Sequence, residues 1–213
     1  MALRIENLTV RRGERTIIAR LSLVAERGEA LLLTGPNGAG KTTLIRAIAG
    51  LLPLTEGVVA LDGARDSEAS VGEQAHYVGH LNGVKPALTV AENAQFWARY
   101  LGGSTEEVAA ALEQFHLAEL ASIPAGYLSA GQKRRLGLSR LLVARRPIWL
   151  MDEPAVSLDA ASRELLADAT NRHLSAGGIV VAATHQPLGF EPAREHVLRR
   201  DETVMSLQDV VTL

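Results

Sequence analysis

Eight residues, Gly35-Pro36-Asn37-Gly38-Ala39-Gly40-Lys41-Thr42, have the types and spacing of a phosphate cradle. Glycines at 35, 38 and 40 accept positive φ and carry no side chains, so successive backbone N–H groups can turn toward one anion. Thr43-Leu44-Ile45-Arg46-Ala47-Ile48-Ala49 continues with helical periodicity, and the amides and dipole of a helix N-terminus add further attraction for negative charge. Lys41 is placed to reach β- and γ-phosphates and Thr42 to ligate Mg²⁺, with Thr43 in the same first turn. A flexible Gly-rich loop with a solvated lysine shares this composition. It would lack the apolar strand Ala30–Thr34 before the loop and the helix after it.

Two further constellations carry charge or bind it. The apolar run Ile148-Trp149-Leu150-Met151 leads directly into Asp152-Glu153. Open α/β sheets place ligands at the carboxyl ends of their strands, where Asp152 can hold Mg²⁺ beside Thr42, facing the phosphate loop of a neighbouring strand. Glu153 is then the residue to orient or deprotonate an attacking water. The second constellation is Leu128-Ser129-Ala130-Gly131-Gln132, a serine and a glycine at a helix start that continues through Leu136, Leu138, Leu141 and Leu142. By the same physics this start can hold an anion, although an ordinary Ser N-cap reads the same way in isolation. One chain with one phosphate loop and two anion sites points to a sandwich of two copies.

The elements that must position these residues follow from periodicity. Leu3–Arg12 and Thr16–Ala25 alternate as half-buried strands about a turn at Arg12–Arg15, and Gly57–Gly63 and Ala75–His80 are shorter strands. Helix 41–49 ends at Gly50. Thr89 and Glu92 form a capping box for an amphipathic helix, stopped by Gly102-Gly103, and Ser104–Glu107 starts the next. The stripe Phe96, Trp97 and Tyr100 is assigned to the core, the commoner fate of such residues. Helix Ala160–Leu174, the apolar strand Ile179–Ala183 and weaker strands near His196–Arg199 and Thr203–Leu207 close the pattern. Residues 1–80 and 147–213 thus read as an α/β core, and 81–146 as an inserted helical subdomain.

Bulk composition excludes several roles. The chain has 213 residues, 47% of them hydrophobic, which suffices for a real core. A net charge of −2 offers no basic field for nucleic acid. The absence of cysteine excludes disulfides, thiolate metal sites and covalent haem attachment. The charged start Met1–Glu6 is unlike a signal peptide, and no run approaches the ~18 apolar residues of a membrane span. Action at a membrane is therefore expected to run through docking on something else, without direct insertion.

Together, Gly35–Thr42, Leu128–Gln132, Ile148–Glu153, Ser157-Leu158-Asp159 and His185 resemble, in order and spacing, the ATP-binding subunits of ABC transporters over essentially the whole chain. The resemblance implies a P-loop NTPase (RecA-like) core with an antiparallel β-subdomain and an inserted α-helical subdomain. It also implies a head-to-tail homodimer closing on two ATP molecules with Mg²⁺. Ser129, Ala130, Gly131 and Gln132 would then serve the partner's ATP, with Ser129 and Gly131 on its γ-phosphate, and Ser157, Leu158 and Asp159 would line the dimer seam. His185 would link Glu153 to the γ-phosphate.

Two positions depart from the pattern. His80 stands where the membrane-coupling loop usually has glutamine, and Arg12 where an aromatic residue usually stacks on adenine. Tyr77–Lys85, Leu128–Arg135 and Thr184–Leu188 are similar to one subfamily, the ATP-binding subunits of the haem exporter of bacterial cytochrome c maturation, the Ccm system. That similarity implies a peripheral place on the cytoplasmic face of the inner membrane, with an integral CcmB-like subunit and further Ccm membrane subunits. Hydrolysis would drive release of a haem-loaded chaperone. The core motifs equally suit the ATPase of another small-molecule exporter. The soluble ABC ATPases of translation or DNA repair resemble tandem cassettes or carry coiled-coil insertions, which this chain lacks.

Overall fold

A computed structural model describes residues 1–64, 66, 68–186, 188–190 and 193–199. The strand expected near Thr203–Leu207 lies outside them. Strands β1 (Ala2–Arg12) and β2 (Arg15–Glu26) form the expected hairpin, and β4 (Glu56–Asp62) pairs antiparallel with the other edge of β1. The second sheet is parallel, in the order β5 (Ala75–Val78), β6 (Ile148–Asp152), β7 (Ile179–Ala183), β3 (Ala30–Thr34), β8 (Ala193–Val197).

The short central strands are apolar on both faces because both faces are covered. Leu31, Leu33, Leu150, Val181 and Ala183 point to a core shared with β1, β2 and helix α1 (Lys41–Ile48). Their neighbours Ala30, Met151, Val180 and Ala182 point to a second core on the opposite side. That core contains α2 (Val90–Leu101), α3 (Thr105–Gln114), α4 (Ala130–Ser139) and α5 (Ala160–Ser175).

Capping boxes start three of these helices. Thr89 with Glu92, Ser104 with Glu107 and Ser129 with Gln132 each exchange side-chain and backbone bonds. Helix α4 ends earlier than its leucines imply. Beyond Ser139 the chain tightens into three-residue turns, with Leu141 N–H donating to the Leu138 carbonyl at 3.0 Å and Leu142 N–H to Ser139 at 2.9 Å.

Two rings of the aromatic stripe of α2 are not core, contrary to expectation, while Trp97 is half-buried against the second core. Phe96 is 38% exposed and Tyr100 73%. The helix buries Val90, Asn93, Ala94 and Ala98 instead. Small alanines bring it close to its neighbours and turn Phe96 and Tyr100 outward; Phe96 meets Trp97 edge-on at 5.4 Å and stacks parallel to Tyr100 at 6.5 Å.

Candidate nucleotide site

The strand order brings three loops to one end of the parallel sheet. The phosphate loop leaves β3, His185 follows β7, and Asp152-Glu153 end β6. Strand β7 lies between the other two, so Asp152 is one strand further from the phosphate loop than expected. The gap is closed by side chains: the Thr42 hydroxyl donates to Asp152 Oδ1 at 3.0 Å.

The loop has the conformation its glycines allow, with φ of +121° at Gly35, +81° at Gly38 and +96° at Gly40. Gly35 could be nothing else, because a Cβ there would lie 2.3 Å from the Leu198 carbonyl oxygen beyond β8. Gly40 is the N-cap of α1 and has no side chain to occupy the helix amides. Lys41 is buried, and its ammonium donates to the carbonyls of Gly35 at 2.7 Å and Pro36 at 3.1 Å. The amine is thereby folded back along the loop. Ala39 is buried beneath the loop, Asn37 and Gly38 are exposed at its tip, and Thr43 is buried in α1.

Glu153 lies half-buried with its backbone at φ +50°, a left-handed conformation unusual for a residue with a side chain. Its N–H donates to the Ala183 carbonyl at 2.8 Å. His185 Nε2 lies 3.5 Å from Glu153 Oε1 and 3.1 Å from Asn37 Oδ1. The histidine thus joins the acidic turn to the phosphate loop.

The remaining predicted residues lie elsewhere. Ser129 accepts from Gln132 N–H at 3.2 Å, Gln132 Oε1 accepts from Ser129 N–H at 2.8 Å, and both Ser129 and Ala130 are exposed. Among the described residues, no hydrogen bond joins this helix start to the phosphate loop. Gly131 instead sits beside Ser157, whose carbonyl oxygen would be 3.4 Å from an added Cβ. Ser157 is exposed at φ +66°, Leu158 is buried, and Asp159 caps α5 by accepting from Ser162 N–H at 2.8 Å. Hydrogen bonding from the Ser162 side chain, and then from its N–H, holds the Asp159 carboxyl below its usual pKa. Arg12 is exposed at the end of β1.

His80 is exposed on the rim of a groove of about 990 Å³. This groove lies away from the phosphate loop, between Arg46 of α1 and the aromatic face of α2, with Arg140 at its side. Arg140 is buried, and burial pushes its pKa down to about 10. Its guanidinium carbon stands 5.0 Å from the Trp97 ring centroid.

One side chain beside the site was not singled out by the sequence. Arg134 is buried and donates to the Glu153 carbonyl at 2.7 Å. A signal was present: Arg134 stands three residues after Gly131 and four before Leu138, on the inward face of α4.

Known proteins resemble this chain at every level. The family described as ABC transporter matches residues 18–156. The cytochrome c biogenesis ATP-binding export protein CcmA of Chelativorans sp. (strain BNC1) is 51% identical over 195 residues, 92% of this chain and 96% of the relative. CcmA of Rhizobium meliloti (strain 1021) is 49% identical over 198 residues, 91% and 96% of the two chains. Among solved structures, a putative ABC transporter ATP-binding protein from Pyrococcus furiosus has a TM-score of 0.78 at 24% identity, covering 93% of this chain and 98% of its own. An ATP-binding cassette of an ABC transporter in its ADP conformation reaches 0.79 at 23% identity, covering 96% and 90%. These two speak for the fold, and the bacterial relatives for the branch within it. The chain belongs to the ABC transporter family of ATP-binding, ATP-hydrolysing subunits, in its CcmA-like branch.

Proposed function

We propose that this subunit energises an export step of cytochrome c maturation, with Glu153 as the residue that activates water. The observation that carries the chemistry is the 3.5 Å approach of His185 Nε2 to Glu153 Oε1, beside a phosphate loop whose Asn37 it also touches. Water attacks the γ-phosphorus of ATP in line, the bond to the β–γ bridging oxygen breaks, and the Glu153 carboxylate takes the water proton. His185 holds Glu153 and the terminal phosphate in register. Lys41 balances charge developing on the phosphate oxygens.

The donor set near the phosphates suits Mg²⁺. Thr42 and Asp152 offer two hard oxygens 3.0 Å apart, and no cluster of three or more His, Cys, Asp or Glu residues among those described could hold a metal unaided. That is the economy of a magnesium site completed by phosphate oxygens and water. Bound there, Mg²⁺ would neutralise charge shared by the β- and γ-phosphates.

Two copies are proposed to close head to tail on two ATP molecules. The exposed start of α4, with Ser129, Ala130, Gly131 and Gln132, would face the partner's nucleotide, and Ser157, Leu158 and Asp159 would follow the seam. Residues 81–146 would move as one helical unit against a core of 1–80 and 147–213. An exporter's ATP-binding subunit works with membrane subunits, and no described helix is long and apolar enough to cross a membrane itself. A CcmB-like integral subunit, with further Ccm subunits, would dock at the groove bearing His80, at the cytoplasmic face of the inner membrane. The proposed output is release of a haem-loaded chaperone.

The test is haem-stained c-type cytochrome content in a strain deleted for this gene and complemented with wild type or Glu153→Gln. Restoration by wild type alone is the expected result. Normal cytochromes in the deletion strain, with no duplicate gene, would assign the ATPase to another exporter.

A further inference from the structure

Arg134 is 3% exposed, yet none of its four hydrogen bonds goes to a carboxylate. Nη2 donates to the Glu153 carbonyl at 2.7 Å and Nε to the Pro154 carbonyl at 3.0 Å. Nη1 donates to the Gly79 carbonyl and to Asn82 Oδ1, each at 3.0 Å. One planar fork therefore joins three segments distant in sequence: helix α4, the acidic turn after β6, and the loop after β5 that carries His80.

Such a residue is costly as mere packing. Burial lowers the Arg134 pKa, opposed by the nearby charges of Asp152 and Glu153, and an apolar side chain of similar volume would fill the space without that penalty. What an apolar residue could not do is hold carbonyls. The carbonyl it holds at 2.7 Å belongs to a residue at φ +50°, a conformation that persists only where its surroundings impose it. The Glu153 N–H is already tied to Ala183 at 2.8 Å. With both backbone groups tied, the direction of the Cα–Cβ bond is set, and the carboxylate it carries lies 3.5 Å from His185 Nε2.

We propose that Arg134 is a positioning residue for ATP hydrolysis. It clamps Glu153 in the left-handed conformation that aims the carboxylate, and through Gly79 and Asn82 makes that aim depend on the placement of the His80 loop. A displacement of the loop or of α4 pulls on the same guanidinium and turns the Glu153 peptide. The inference rests on Glu153 acting as the base.

The experiment compares wild type, Arg134→Lys, Asn82→Ala and Glu153→Gln. A fluorescent ATP analogue gives Kd and thermal denaturation gives the folded fraction for the full chain, while kcat and KM are measured on the assembled transporter. Lysine keeps the charge but cannot span three segments. Arg134→Lys should bind nucleotide within about twofold of wild type, with KM similarly unchanged and kcat lowered at least about tenfold. Asn82→Ala, which leaves the Glu153 bond in place, should lower kcat about two- to fivefold at unchanged Kd. An Arg134→Lys kcat equal to wild type, or reduced only in proportion to lost folded protein, would overturn the proposal. Should Arg134→Lys fail to fold, the Asn82→Ala result decides, and an unchanged kcat sinks the linkage. Wild-type turnover by Glu153→Gln would instead overturn the base assignment itself, so the two failures are distinguishable.

Discussion

His185 Nε2 stands between two acceptors on different strands' loops, 3.5 Å from Glu153 Oε1 and 3.1 Å from Asn37 Oδ1. A single ring thereby ties the residue assigned to water activation to the tip of the loop that cradles phosphate. Glu153→Gln keeps the shape of this arrangement and removes the base. Turnover should fall at least about a hundredfold while ATP still binds, leaving an ATP-loaded dimer detectable by size exclusion. Retention of wild-type phosphate release by this variant would sink the assignment.

Lys41 is buried and is the ammonium directed along the phosphate loop by the Gly35 and Pro36 carbonyls. Lys41→Ala removes that charge and leaves both carbonyls without their ammonium donor. Nucleotide affinity should drop at least about tenfold, on the scale of a lost charge-assisted hydrogen bond. Equilibrium titration checks it, and unchanged affinity contradicts the cradle.

The two glycines after α2 differ in kind. Gly102 is the left-handed cap with open space around it, whereas a Cβ on Gly103 would sit 1.6 Å from the Val143 carbonyl oxygen. Gly102→Ala should cost about 1 kcal/mol through its φ, and Gly103→Ala several times that, because backbone must move. Denaturant titration of both variants distinguishes them. Equal midpoints would show that the contact at Val143 relaxes freely.

Burial depresses the pKa of His76 and of His173 to about 4, from an ordinary 6.5. His76 bonds the Ala144 carbonyl through Nε2 at 2.8 Å, and His173 stacks on Trp149 at 4.1 Å. Both are neutral in the folded chain, and the unfolded chain takes up protons first. Their contribution is therefore whole above the ordinary value and declines as pH falls from 6.5 toward 4. Each histidine accounts for a loss on the order of 3 kcal/mol at most across that window. His173→Phe keeps the stack and removes one titration, so its melting temperature should fall less steeply with acid than that of wild type. Parallel slopes would refute the assignment.

Much of this was legible because local signals agreed with global demands. The alternation in β1 and β2, the apolar runs of β3, β6 and β7, and the capping box of Thr89 with Glu92 each have one physical solution, and the fold adopts it. The phosphate loop was legible for the same reason. Strand order was not, since a pattern of apolar residues does not say that β7 separates β6 from β3. The aromatic stripe misled because hydrophobicity marks Phe96 and Tyr100 for burial, whereas Ala94 and Ala98 set the helix contact. Arg134 went unread because a cation ordinarily argues for solvent. Its position on the helix pointed inward, and the oxygens that repay burial come from distant segments.

The end of β8 has a consequence for the order in which the protein is made. Leu198 N–H bonds the Thr34 carbonyl at 2.9 Å, and the Leu198 carbonyl presses against Gly35 at the mouth of the phosphate loop. A nascent chain has synthesised every glycine of that loop long before the strand that braces it exists. The close contact at the loop's first glycine is therefore made only after β8 has been synthesised and has added to the sheet edge beside β3.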